Sequence, residues 1–217
     1  MENTDILTIW KSYDQKLNEN LLLNRKNAED ITKIKVRSFL TSMRPLKIFA
    51  ILAGILWVVF VDTLIVLLFP VASPFFLISA GIQVLLTKLS IGVYLYQWVL
   101  IELVDIDEPV LTTQERIAHL QASTIWVTRI LFLQLPVWTT FYLTQSLIES
   151  GGILFYTLQI GFTAGFTLLS IWLYRNISYE NRDKKWFKLI FNGIEWNPIR
   201  KSMELLDQIK DYSTVRQ

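Results

Sequence analysis

Four long apolar runs between two polar ends constrain this chain more than any other feature. Residues 48–69, IFAILAGILWVVFVDTLIVLLF, carry one charge, Asp62. Residues 75–97, in an apolar stretch that continues to 101, carry only Lys88. Residues 124–146 carry only Arg129, and residues 153–174 carry none. A bilayer core about 30 Å thick needs about 20 apolar residues in a helix, and each run meets that length. Backbone in hydrocarbon must satisfy its own N–H and C=O groups, so helices are expected. The reading is an all-α, polytopic membrane protein with four transmembrane helices arranged as two hairpins. The run 124–146 is the least apolar, with Arg129, Gln134 and Pro136 inside it. Its alternative is a buried or interfacial helix.

The basic residues set an expected direction. Of the 21 Lys and Arg, nine lie in residues 1–47, nine in 175–217, and the remaining three are Lys88, Arg116 and Arg129. The short connections 70–74 and 147–152 contain none. Loops rich in Lys and Arg stay on the cytoplasmic side. Both termini and the loop 102–123 are therefore expected in the cytoplasm, with the chain in the cell (inner) membrane. Three parts follow: a helical arm 1–45, a transmembrane region 46–174 and a second arm 175–217.

Each arm has a helical stripe. Leu7, Trp10, Leu17 and Leu21 recur at helical spacing in the first. In the second, Asn197 and Pro198 start a helix with Ile199, Met203, Leu206 and Ile209 on one face. The segment between, YENRDKKWFKLIFNGIEW, mixes Lys and Arg with Trp186, Phe187, Phe191 and Trp196 and resembles an interfacial amphipathic helix. Such stripes need partners. The two arms are expected to pack on each other through Leu7, Trp10, Leu17, Trp196, Met203 and Leu206. A protein partner or self-association is the alternative.

Polar groups inside apolar runs are the other candidates, because they usually face a bundle interior. They are Asp62, Gln83, Lys88 and Arg129. Arg129 is expected to snorkel toward the cytoplasmic interface. Gly81 and Gly92 lie within about 40° of Lys88 around the helix, so Lys88 is expected in a close seam. Counting rise per residue, the depth of Asp62 matches Gln83 better than Lys88. The expectation is a hydrogen bond from Gln83 to Asp62, or an outward snorkel of Asp62, and no direct Asp62–Lys88 contact. Ala50 with Gly54, and Gly161 with Gly165, are small residues four apart that suit helix packing or a dimer.

Composition removes several chemistries. There is no cysteine and one histidine, His119, so thiolate sites, a cysteine nucleophile and a His-based metal cluster within one chain are absent. Phosphate-loop, dinucleotide, nucleophile-elbow and zinc-helix motifs are also absent. The net charge of +2 gives no reason to expect nucleic-acid binding. No cofactor, metal or catalytic residue is expected. Glu102, Asp105, Asp107 and Glu108 form an acidic loop that suits solvent better than a cation.

With its opening LTIWKSYDQKLNENLLLN and this layout, the chain resembles an uncharacterised group of bacterial four-span integral membrane proteins. The resemblance implies no catalytic residue. The expected function is that of a non-enzymatic membrane regulatory or scaffold protein. Its partners are the lipid bilayer and, through the cytoplasmic helices, a protein or a second copy. The alternative is a subunit of a small oligomeric channel or transporter.

Overall fold

The computed structural model describes residues 2–104, 110–191, 193 and 196–214, with side chains described there except at 2–7, 110 and 206–214. Among the described residues all regular structure is helical. The helices are α1 Glu2–Thr41, α2 Arg44–Leu68, α3 Pro74–Glu102, α4 Val110–Phe132, α5 Gln145–Ser150, α6 Ile153–Asn176, α7 Lys185–Phe191 and α8 Trp196–Thr214. Two 3₁₀ turns, Val137–Thr139 and Tyr179–Asn181, lie between them.

Pro45 separates α1 from α2. It has no N–H to give, so it belongs in a first turn rather than a helix interior, and it stands at the start of α2. Three stretches are long and apolar enough to cross a membrane: Thr8–Leu68, whose apolar part is α2, then Pro74–Glu102 and Ile153–Asn176. They carry large apolar side chains on their outer surfaces. Ile153 is 89% exposed, Leu154 72% and Val66 74%. A water-soluble surface rarely presents apolar area so continuously.

The first hairpin forms as its prolines require. Ser73 caps α3, its hydroxyl oxygen accepting from the Phe76 N–H at 3.2 Å. The α2–α3 seam holds Val58, Val61, Ala80 and Val84, with Ile65, Phe76 and Ile91 against them. The next run departs from expectation. Residues 124–146 do not form one helix. Instead α4 starts at Val110, inside the expected loop, and ends at Phe132. Turns and the 3₁₀ segment follow until Thr144 caps the short α5.

The opposite end of this body carries a polar layer built on a second core. Val36, Leu40 and Met43 of α1 and its exit meet Leu100, Ile101 and Val104, Ile117 and Leu120 of α4, and Ile199 of α8. A third cluster joins α4, α6, α7 and α8: Ile125, Leu173, Ile177, Phe187, Phe191 and Trp196. The rings of Phe187 and Phe191 stack at 4.2 Å, and Trp196 meets both.

The two arms do pack together through the expected stripe of α8, but not through the expected stripe of α1. Ile199 and Met203 of α8 dock on the C-terminal half of α1, around Val36 and Leu40. Trp10 is 72% exposed and Leu17 58%. Side chains at Leu7 and Leu206 fall outside the described residues. The reason is length. α1 is one 40-residue helix, about 60 Å long at 1.5 Å per residue, and α8 covers only its near end. Residues 8–28 of α1 are exposed throughout.

Candidate functional site

The polar groups in and beside the apolar runs resolve into three arrangements. The first is an ion pair across α2 and α3. Lys88 Nζ donates to Asp62 Oδ2 at 3.0 Å. This overturns the expected Gln83–Asp62 bond and the expected lack of an Asp62–Lys88 contact. Rise per residue alone misplaced the head groups. Side chains tilt toward the N-terminus of their own helix. In α3 that direction is toward the hairpin turn, and in antiparallel α2 it is away from it. Lys88 and Asp62 therefore lean toward each other and close the gap between their Cα depths. Gln83 uses its backbone carbonyl to accept from Thr87 Oγ1 at 2.8 Å.

The pair does not lie in a seam. The Lys88 side chain is 55% exposed and that of Asp62 45%. A Cβ placed on Gly81 or Gly92 would meet nothing within 4 Å, and the same holds for Gly161 and Gly165. None of the four is a close packing point within the chain. Gly54 is one. An added Cβ there would lie 3.0 Å from Ile91 Cγ1. Ala50 is half-buried on the same helix. Lys88 and Gly92 also line a shallow apolar groove between α3 and α4, reached by His119 and Trp126.

The second arrangement holds the broken segment after α4. A backbone without helical hydrogen bonds is costly in an apolar body unless other groups satisfy it. Ser73 Oγ donates to the Leu143 carbonyl at 2.6 Å. Ser79 and Thr140 share a hydroxyl bond at 2.9 Å. Gln134 Nε2 reaches Thr87 Oγ1 at 3.5 Å. From α6, Gln159 Nε2 donates to the Thr139 carbonyl at 2.6 Å and to Thr163 Oγ1 at 3.2 Å. Gln159 Oε1 accepts from the Tyr142 hydroxyl, and Thr139 Oγ1 donates to Thr163 Oγ1 at 3.1 Å. These contacts also give a register. Thr124 lies beside Gln97, Gln134 beside Thr87, Thr140 beside Ser79 and Leu143 beside Ser73. The run 124–143 thus travels alongside most of α3 to the hairpin turn.

The third arrangement gathers at the layer end. Lys47 is fully buried, its ammonium 4.4 Å from the centre of the Tyr94 ring. Arg44 Nη2 bonds Glu102 Oε2 at 2.8 Å, tying the start of α2 to the end of α3. The hydroxyls of Ser123 and Thr124 both donate to the Leu120 carbonyl. They are left to accept from Gln97 Nε2, at 3.1 and 3.4 Å. That fixes the amide's orientation. Gln97 Oε1 is buried with no hydrogen-bond partner among the described residues. Arg129 is half-buried, and its Nε donates to the Ile177 carbonyl at the C-terminal end of α6. A cation suits that helix end. Arg129 is an interhelix tie rather than a free snorkel.

Several of these groups escaped sequence reasoning. Lys47 reads as one more juxtamembrane cation, and Ser79, Thr87, Thr139 and Thr163 read as tolerable hydroxyls in apolar runs. The available signal was the coincidence of Gln134, Pro136 and two threonines in one run with Gln159 and Thr163 four apart in another. Among the described residues no three His, Asp or Glu side chains gather as a metal site. Comparisons with family models, curated proteins and solved structures find no match for this chain.

Proposed function

We propose that this chain is a non-enzymatic integral membrane scaffold or regulatory protein. It crosses the bacterial inner membrane four times as two hairpins and offers the N-terminal half of α1 to a cytoplasmic partner or a second copy. The observation that carries the reading is the uncovered stripe of α1. Trp10, Tyr13, Leu17 and Leu21 follow helical spacing and are all exposed, on about 30 Å of helix beyond the reach of α8. Apolar helix faces of this kind dock in grooves or pair with other helices.

The crossing number rests on the polar clasp. The run 124–143 accompanies α3 as a half helix followed by turns whose backbone is bonded mostly within itself, with Ser73 and Gln159 taking the Leu143 and Thr139 carbonyls and Ser79 the Thr140 hydroxyl. Irregular backbone at membrane depth is tolerated where protein surrounds it. The excess of Lys and Arg at both chain ends supports cytoplasmic termini. The channel reading is weakened because Asp62 and Lys88, its two charged candidates, neutralise each other.

The test is photo-crosslinking in cells from a residue inserted at Trp10, with the same residue at Leu158 on α6 as a lipid-facing control. A discrete cross-linked species from position 10, lost with Leu17→Glu and Leu21→Glu, supports the reading. Cross-linking from position 10 no different from the control removes it.

A further inference from the structure

A cavity of about 580 Å³ opens between α4, the 3₁₀ turn Tyr179–Asn181, α7 and α8. Its floor is aromatic and rigid, because Phe187, Phe191 and Trp196 are buried against one another. Its rim is cationic. Arg182, Lys188 and Arg200 line it, against two carboxylates, Asp183 and Glu204. Those carboxylates engage the cations loosely. Asp183 lies 3.6 Å from Arg182 and 3.9 Å from Lys188, and Glu204 lies 3.9 Å from Arg200. All five side chains are exposed, and such pairs contribute about 0–1 kcal/mol each. The cations remain available to a better anion.

The Arg182 guanidinium lies over the Tyr179 ring at 4.2 Å, which orients the fork while leaving its N–H edges free. Arg200 lies just inside the N-terminus of α8, where helix dipoles favour negative charge. From these observations we propose that this cavity binds a phosphate group, and that its source is the headgroup of an anionic lipid.

Position selects the lipid over a soluble phosphate. The cavity opens immediately beyond Ile177, where apolar α6 ends. Trp172 of α6 and Trp186 of α7 meet at 5.0 Å at that same end. Indole rings favour the headgroup level of a bilayer, and basic pockets at that level take anionic headgroups. The lipid source rests on the membrane reading above, while the anion site rests only on the cavity.

The full chain in neutral detergent is titrated with phosphatidylglycerol, phosphatidylcholine or inorganic phosphate, and thermal unfolding is followed. Phosphatidylglycerol is expected to raise the midpoint saturably, and phosphatidylcholine is not. Arg182→Gln with Arg200→Gln should weaken the phosphatidylglycerol response about tenfold or more, since each lost charge-assisted bond is substantial. Lys11→Gln with Lys16→Gln, which removes the same charge from the exposed arm, should leave it unchanged. If the arginine pair variant has a lowered lipid-free midpoint, Lys188→Gln and the charge-keeping Arg182→Lys with Arg200→Lys give the reading. The first should weaken binding, and the second should weaken it less than the glutamine pair does, because the charge stays while the planar fork is lost.

Equal responses to the two lipids, or an equal loss in the arm variant, overturn the site. Inorganic phosphate that stabilises the chain at millimolar concentration and abolishes the phosphatidylglycerol response overturns the lipid source. Alkaline carbonate extraction of cell membranes reads the membrane assignment separately. Release of the chain sinks that assignment without touching a phosphate response.

Discussion

Asp62 and Lys88 show how far a side chain's direction can outweigh its position in sequence. Counting rise per residue sets their Cα atoms at different depths along α2 and α3, yet Nζ and Oδ2 meet at 3.0 Å, as expected when each side chain tilts toward its own helix start. A lone charge in an apolar setting costs far more than a paired one. Lys88→Met and Asp62→Asn should each destabilise the protein by about 1–3 kcal/mol. The double variant should lose less than the sum of the two, as coupled neighbours do. Denaturation in detergent measures the cycle, and additive losses would deny the coupling. Glycines give a second contrast at this scale. Gly54 faces Ile91 at close range, whereas Gly161 and Gly165 face open space. Gly54→Leu should force α2 from α3 and cost about 1–3 kcal/mol. Gly161→Leu and Gly165→Leu should leave monomer stability near wild type. If size-exclusion instead shows that they change an oligomer, those glycines serve a contact between copies.

Among the elements, the segment after Phe132 depends most on its neighbours. Pro136 has no N–H to continue the ladder; local turn bonds hold much of the backbone that follows Phe132, and Ser73 and Gln159 take the Leu143 and Thr139 carbonyls. Gln159 bears most, donating to the Thr139 carbonyl and to Thr163 while accepting from Tyr142. Gln159→Leu takes away the side-chain donor to the Thr139 carbonyl and the acceptor of the Tyr142 hydroxyl and should cost about 1–3 kcal/mol. Protease cleavage between 133 and 144 should rise in the same variant, and unchanged cleavage would show that the clasp does not hold the turn. The N-terminal half of α1 is the opposite case. None of its described side chains belongs to a core cluster, so removing residues 2–28 should leave the melting midpoint essentially in place. A large fall would mean that this half supports the fold.

On the scale of the whole molecule, large apolar side chains face outward along the body, whereas the layer at one end encloses two buried apolar cores. These lie around Leu40 and around Phe187, and a third lies in the body between α2 and α3. The chain has no cysteine, so single introduced cysteines can report its topology. Ala72→Cys and Ser150→Cys should react with an impermeant thiol reagent from outside cells. Lys16→Cys and Lys201→Cys should react only after permeabilisation. A reversed pattern would invert the proposed orientation.

Helical class, the apolar character of 48–69, 75–97 and 153–174, and the hairpin at PVASP were legible in the sequence, because they depend on local runs and on proline. Membrane candidacy was legible for the same reason. The tertiary structure alone decided which polar groups meet. It paired Lys88 with Asp62, placed Lys47 over Tyr94 and gave Arg129 the end of α6. It also decided that α8 grips Val36 and Leu40 rather than Trp10 and Leu17. Composition and periodicity show that a side chain needs a partner. They carry no information about helix length against helix reach, or about the antiparallel tilt that brings two distant residues together.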